Sequence, residues 1–248
     1  MSSKPALRSK NHLGSPEGKK LFNEWHFTKA ASRYDLATRG MSLYRDPAWK
    51  GCLVAALPEL EEPFCVDIAC GTGDVAFLLA RKYPRGKIVG LDITEPMLEI
   101  ARERNPHPSV TFTRQDMNAT DFKEESVDIV TGSYALRNAP DIGVAIGEIH
   151  RILKPGGVAA FMDFVKSGSP LLQPLQYWLL RAWCGLFGLV LHKNPEIHGY
   201  VASSLREYPD RPRLLGLFHD RGFDLTYSRR FFLGLVEIIV IRKRGKGK

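Results

Sequence analysis

The sequence predicts an α/β fold built on a seven-stranded, mostly parallel sheet with helices on both faces. Three observations predict it. Between residues 64 and 164 short apolar runs alternate with segments of helical spacing. The apolar runs are continuous in Val, Ile and Ala, the pattern of strands buried on both sides. A glycine turn, Asp67-Ile68-Ala69-Cys70-Gly71-Thr72-Gly73-Asp74, joins the first such run to the first helix.

The elements follow in order. Residues 1–20 are polar, contain Gly and Pro, and read as a flexible basic arm. From 21 to 57 Leu21, Phe22, Trp25, Met41, Leu43, Trp49, Leu53, Val54 and Leu57 recur at spacings of three and four, which predicts N-terminal cover helices. Pro58 and Pro63 end that region. Strands are predicted at 64–70, 87–93, 110–114, 127–133 and 157–164. Helices are predicted at 74–83, 95–104 and 141–153, the second opened by Thr94 as N-cap. After an interruption, 196–221 reads as helical and 224–231 and 235–242 as closing strands. Residues 243–248 read as a basic tail.

The interruption, 170–192, is an apolar helical insertion. Its 171–191 stretch has one charge, Arg181, at its centre. Burying that charge in a bilayer costs roughly 2.5–3.5 kcal/mol, so an amphipathic helix is preferred to a membrane span. Leu175, Trp178, Leu179, Ala182, Trp183, Leu186, Phe187 and Val190 form its apolar stripe. The stripe fits a cover helix facing the core, or a lid that lines a greasy substrate site or touches a membrane.

Composition narrows the function. The chain has 248 residues, 44% hydrophobic and 25% charged, and a net charge of +8. Five Lys/Arg lie in residues 1–20 and five in 242–248, while the body between holds 25 basic and 26 acidic residues. A neutral body argues against a nucleic-acid-binding face. Cys52, Cys65, Cys70 and Cys184 form no C-x-x-C pair and the N-terminus lacks an apolar signal core, which points to a reducing, cytoplasmic setting. The histidines have no i, i+4 pair, so no metal site is expected. The basic ends suit loose attraction to an anionic membrane, or serve solubility alone. An oligomer is compatible with the sequence and not readable from it.

The strand ends carry the chemistry. Gly71 and Gly73 let backbone approach a ligand at a helix N-terminus. A dinucleotide motif would want a third glycine where Ala76 stands. Asp92 ends the second strand, placed to accept both ribose hydroxyls, and Asp116 ends the third. With Asp67, three acids at successive strand ends suit a nucleoside without phosphates, such as the cationic S-adenosylmethionine, better than a pyrophosphate. Each acid taken singly also fits a cap or loop role. The fourth strand ends in Ser133-Tyr134-Ala135-Leu136-Arg137-Asn138, facing the ligand. The Asn/Asp-Pro-Pro-aromatic tetrapeptide of many amino-group methylators of nucleic acid is absent here, so methyl transfer to carbon or oxygen is favoured over an exocyclic amine. A carbon acceptor needs an electron-rich ring. Arg137, whose guanidinium keeps its proton at any physiological pH, stabilises a phenolate or orients a water rather than acting as the base. It also fits a structural ion pair. Tyr34 and Tyr134 are placed to flank the ring, or to serve as core aromatics.

These motifs resemble the ubiquinone/menaquinone biosynthesis C-methyltransferase family over about residues 21–242. The family's Tyr-Asp-x-Met-Asn-x-x-apolar-Ser-x-x-x-His-x-x-Trp signature is similar in spacing to Tyr34, Asp35, Met41, Ser42 and Trp49. Its Asp-Leu-Ala-Gly-Gly-Thr-Gly-Asp resembles 67–74, its Ser-Phe-Gly-Leu-Arg-Asn resembles 133–138 and its Arg-Val-Leu-Lys-Pro-Gly-Gly resembles 151–157. Its Tyr-Leu-x-x-Ser-Ile…Pro stretch resembles 200–205 with Pro209. The resemblance implies a Rossmann-like class I methyltransferase domain over 21–242, acting from S-adenosylmethionine on a ring carbon of a demethylated prenyl quinol. It implies Thr72, Asp92, Asp116, Met117 and Ser133 as cofactor contacts, and Arg137 as the helper in proton transfer. The chain departs from the family at Ala37 and Thr38, where Met-Asn is usual, at Asp46 in place of His, and at Cys70 in place of Gly. Another aromatic or prenylated acceptor, and a non-catalytic adenosine-binding scaffold, stay open as alternatives.

Overall fold

The computed structural model describes residues 14–245. Four segments precede the sheet: α1 (Pro16–Ala30), a 3₁₀ turn (Ala31–Arg33), α2 (Tyr34–Met41) and α3 (Asp46–Ala55). Then come β1 (Phe64–Ile68), α4 (Asp74–Lys82), β2 (Lys87–Asp92), α5 (Glu95–Arg104), β3 (Val110–Arg114), β4 (Val127–Ser133), α6 (Ile142–Ile152) and β5 (Leu153–Phe164). The chain ends with α7 (Gln173–His192), α8 (Glu196–Glu207), α9 (Arg211–Asp220), β6 (Phe223–Phe231) and β7 (Val236–Lys243).

The seven strands form one sheet in the order β3-β2-β1-β4-β5-β7-β6. Neighbours are parallel as far as β5; β7 runs antiparallel between β5 and β6, pairing Phe161 with Ile239. Val66, Ile68, Leu91 and Phe161 anchor one core layer and Ile88, Ile129, Ala160 and Ile238 the other. Helices on both faces therefore bury the continuous apolar runs that the sequence displays. The strands β1, β2 and β4 end in a common edge, and their loops hold the site.

Four expectations change. Residues 16–20 are not a free arm: the Ser15 hydroxyl accepts from the Gly18 amide at 3.1 Å and Pro16 opens α1. Of that arm, 1–13 lie outside the described residues. The start of the tail is likewise tied down. Lys243 is buried, and its Nζ donates to the carbonyls of His150 and Leu153 at 2.9 and 2.8 Å. Arg244 Nε donates to Asp224 at 2.9 Å; residues 246–248 lie outside the described region. Thr94 occupies the N-cap position of α5, yet its hydroxyl makes no cap bond; its amide donates instead to the Asp92 carboxylate at 2.9 Å. The 196–221 run is two helices, divided at Pro209, with Asp210 capping the second through the Arg213 amide.

The insertion decides between the two readings of its stripe. It is a helix as expected, and the apolar stripe does not face the core, which leaves the lid or membrane-facing reading. Leu175, Trp178, Leu179, Leu186 and Val190 are exposed, Trp178 at 63%. The opposite face, with Leu180, Cys184, Gly185 and Gly188, packs on α8. Small residues there let the helices approach closely: a Cβ at Gly188 would stand 2.6 Å from the Asn194 carbonyl oxygen. Spacing reveals a stripe without revealing which side of the helix the protein buries.

Candidate active site

The glycine turn sits between β1 and α4. Gly71 and Gly73 have φ of +53° and +91°, in the left-handed region that glycine adopts without strain. At Gly73 a side chain would also meet the Phe77 ring at 2.9 Å. Asp92 at the end of β2 fixes this turn: its Oδ2 accepts from the Gly71 amide at 3.0 Å. Burial raises the pKa of Asp92, opposed by its backbone hydrogen bonds.

Two small cavities adjoin the turn. One, of about 50 Å³, is lined by Ala69, Gly71, Asp92, Ser133 and Tyr134, and the other, of about 30 Å³, by Asp67, Gly71, Thr72, Asp74 and Ser133. Asp67 is buried; its Oδ1 accepts from the Thr131 hydroxyl at 2.7 Å, while its Oδ2 has no partner among the described residues. Burial pushes its pKa up to about 7. Ser133 Oγ is also buried without a partner. Unpartnered acceptors of this kind fit the amino group and hydroxyls of an adenosyl amino acid, the cofactor expected from the sequence.

A third cavity, of about 50 Å³, is lined by His26, Phe27, Tyr134, Phe164, Arg137 and Tyr200. Tyr34 and Tyr134 line all three cavities, and so stand between the glycine turn and the aromatic chamber. Burial pushes the Tyr34 hydroxyl up to about 12 and the Tyr134 hydroxyl well above its ordinary value. The Tyr134 hydroxyl donates to Asp46 Oδ1 at 2.9 Å.

Arg137 is 3% exposed. Its Nε donates to Asp163 Oδ1 at 3.0 Å, its amide to Asp163 Oδ2 at 3.1 Å, and its Nη1 to the Ser204 hydroxyl. Burial works against its charge, and the Asp163 carboxylate outweighs that, holding the pKa above the usual arginine value. Arg137 is thus both the structural ion pair and the wall of a cavity. Neighbouring Asn138 accepts through its carbonyl from Asn23 Nδ2 at 2.6 Å, and Tyr200 donates to Asn23 Oδ1 at 2.8 Å. The Leu-Arg-Asn segment and the Tyr200–Ser204 segment, 60 residues apart in the chain, meet here.

The cover helices are pinned to the turn by charge. Thr72 donates to Asp35 Oδ1 at 2.6 Å, and Arg104 bridges Asp35 and Asp74, both at 2.7 Å. Lys50 pairs with Asp46 at 2.7 Å and Asp74 at 3.1 Å. The structure therefore brings together Gly71, Thr72, Gly73, Asp92, Ser133, Tyr34, Tyr134 and Arg137. It does not bring Asp116 and Met117 into the lining of these cavities. Asp116 pairs with Lys20 of α1 at 2.7 Å, and Met117 packs against the core. The sequence reading missed Asp163, Ser204 and Lys50 as site residues; an isolated Asp or Lys carries no spacing signal, whereas Ser204 stands at the Ser of the Tyr-Leu-x-x-Ser-Ile stretch and could have been found there.

A seven-stranded sheet in which only β7 runs antiparallel, with a glycine turn after β1 and an acid at the end of β2, has the architecture of an α/β methyltransferase. The comparisons name the family. The model of the ubiE/COQ5 methyltransferase family matches residues 19–242, and the chain belongs to that family. It is 33% identical to a "2-phytyl-1,4-naphtoquinone methyltransferase" of Thermosynechococcus vestitus over 223 residues, covering 88% of this chain and 97% of that one. It is 30% identical to a "Ubiquinone/menaquinone biosynthesis C-methyltransferase" of Desulfotalea psychrophila, covering 86% of each. In fold it is similar to an S-adenosylmethionine dependent methyltransferase from Mesorhizobium loti, at a TM-score of 0.57 and 18% identity, over 77% of this chain and 96% of that one.

Proposed function

We propose that the protein transfers a methyl group from S-adenosylmethionine to a ring carbon of a demethylated prenyl quinol, in the biosynthesis of a menaquinone or ubiquinone. One observation carries the reading. A fixed, permanently charged Arg137 closes an aromatic chamber that shares Tyr34 and Tyr134 with the glycine turn. The names of the relatives agree with it.

The cofactor, when bound, supplies an electrophilic methyl group. Asp92, Ser133 and Asp67 are the residues that would hold its ribose and amino acid portion, with Thr72 and the Gly71 amide beside them. Tyr34 and Tyr134 would position the acceptor ring against it, and the buried chamber excludes bulk water. A water held by the Arg137 guanidinium would take the proton of an acceptor hydroxyl, and the guanidinium would stabilise the negative charge left on that oxygen, making the ring carbon nucleophilic. Once methylated, that carbon would give up its own proton through the same water, with S-adenosylhomocysteine as the other product. Asp163 keeps Arg137 oriented for this. Arg137 does not take the proton, since its pKa lies above the ordinary value. The cavities are far smaller than the roughly 300–1,000 Å³ of ligand sites, so the site has to widen before ligands enter.

A quinol with a long tail resides in lipid, and the protein meets it at the bilayer surface. No helix among the described residues is long and apolar enough to cross a membrane. Instead Leu171, Trp178, Leu186 and Val190 are exposed together with the loop residues Tyr44 and Leu233. Exposed Arg39, Arg45, Lys193 and Arg229 neighbour these segments in the chain, an arrangement suited to peripheral contact with anionic lipid.

Mass spectrometry of lipid quinones from cells with and without the gene tests the proposal. The demethylated quinone should accumulate without it and disappear on complementation. An unchanged quinone profile overturns it.

A further inference from the structure

A larger concavity lies beside the aromatic chamber, outside the site described so far. Its volume is about 480 Å³, against about 50 Å³ for the chamber. Leu175, Leu179 and Trp183 of α7 form one wall, Leu43 another, and Phe232 and Leu235 between β6 and β7 a third. Two polar residues reach it, and both are already engaged. Gln176 Oε1 accepts from the Ser167 amide at 2.7 Å, and its Nε2 donates to the Val165 carbonyl at 2.8 Å. The Ser167 hydroxyl accepts from the Ser169 amide at 3.3 Å. Among the lining residues none is charged, so the groove selects an uncharged, largely apolar occupant.

The groove and the chamber share a wall. Met41 and Ser42 line the chamber, and the next residue, Leu43, lines the groove. Trp183 of the groove donates from its Nε1 to the Met41 carbonyl at 3.0 Å, which locks the two surfaces edge to edge. The turn at this point is tight, with φ of +51° at Leu43 and +61° at Tyr44.

Resting on the proposed quinol reading, we propose that this groove binds the apolar prenyl tail of the acceptor while its ring occupies the Arg137 chamber. A flat bilayer surface covers the convex residues of this face but does not fill a concavity. A tail does, and because it is joined covalently to a ring held next door, it enters at high effective concentration. Affinity for the acceptor then comes chiefly from the tail, and the chemistry from the ring.

The test uses Leu175→Asp and Leu179→Asp, both at exposed positions that leave folding intact by thermal melting. Quinol acceptors with no prenyl unit and with several prenyl units are compared. The tail should lower KM at least tenfold in the parent enzyme. Each variant should raise KM about tenfold for the tailed acceptors, leaving the tail-less acceptor and kcat unchanged. A prenyl alcohol without a ring, added to the protein alone, should shift tryptophan emission to the blue in the parent by covering the partly exposed Trp183, and much less in Leu179→Asp. That measurement stands even if no quinol is methylated, which separates failure of the groove from failure of the quinol reading. Equal KM changes for tailed and tail-less acceptors, with unaltered prenyl alcohol binding, overturn the proposal. Loss of vesicle binding with KM unchanged overturns it in favour of a bilayer contact, and a change in particle mass with KM unchanged in favour of a second copy.

Discussion

Arg137 grips Asp163 twice, from the Nε at 3.0 Å and from its own backbone amide at 3.1 Å. The two side chains are 4% and 5% exposed, so neither charge is screened by water. Removing one partner should leave the other buried and uncompensated. Asp163→Ala is expected to cost about 3–5 kcal/mol of stability, measured by urea denaturation. Replacing both residues with apolar ones of similar volume should recover most of that stability and none of the activity. Arg137→Ala should lower turnover far more than it lowers S-adenosylhomocysteine affinity, by calorimetry.

Asp92 accepts the amides of Gly71 and Thr94, so it shapes the turn as well as offering oxygen to a ribose. Asp92→Ala should weaken cofactor binding by about 2–4 kcal/mol. Calorimetry with S-adenosylhomocysteine checks this, and an unchanged Kd removes Asp92 from the site.

Asp67 gives the stability a pH dependence. Burial lifts its pKa from 3.8 to about 7 in the folded protein, so the folded state keeps a proton that the unfolded chain releases above about pH 4. The stability from this group is complete below pH 4 and is lost as pH rises towards 7. Asp67→Asn should flatten that slope between pH 4 and 7. A cationic amino group bound at Asp67 favours the carboxylate, so cofactor binding at pH 6 should release protons. Calorimetry in two buffers of different ionisation enthalpy reads that release directly.

Tyr134 stands where the family motif has Phe, and its hydroxyl is committed to Asp46 at 2.9 Å. Tyr134→Phe should therefore keep most of the turnover and lose about 1 kcal/mol of stability, since Lys50 still pairs with Asp46. Tyr134→Ala should lower kcat strongly, because the ring that separates the chamber from the glycine turn is gone.

Trp178 and Leu233 are exposed and touch little of the core. Trp178→Glu with Leu233→Asp should leave the melting temperature within about a degree and reduce flotation with anionic vesicles severalfold. Unaltered flotation removes this face from membrane contact.

The sheet was legible because buried parallel strands write continuous Val/Ile runs, and Phe64–Ile68, Lys87–Asp92 and Val127–Ser133 fall within their expected spans. The glycine turn was legible because positive φ restricts residue choice at Gly71 and Gly73. The support for Arg137 was not legible, because Asp163 and Ser204 come from β5 and α8 and converge only in three dimensions. The outward face of α7 was hidden for a different reason. Its buried side holds Cys184, Gly185 and Gly188 beside Gln176 and Leu180, and the smallness of those three matters for close packing while hardly registering as hydrophobicity. Asp35, met only as a letter in a signature, turns out to hold Thr72 at 2.6 Å, which gives that signature a physical job.

Lys243 sets a practical limit on how this chain can be cut. Its ammonium closes on two carbonyls, of His150 and Leu153, where α6 hands over to β5. Trimming back to 242 opens that closure and frees Asp224 from Arg244, so a shortened protein that lost lipid binding would report a loosened sheet rather than a missing basic tail.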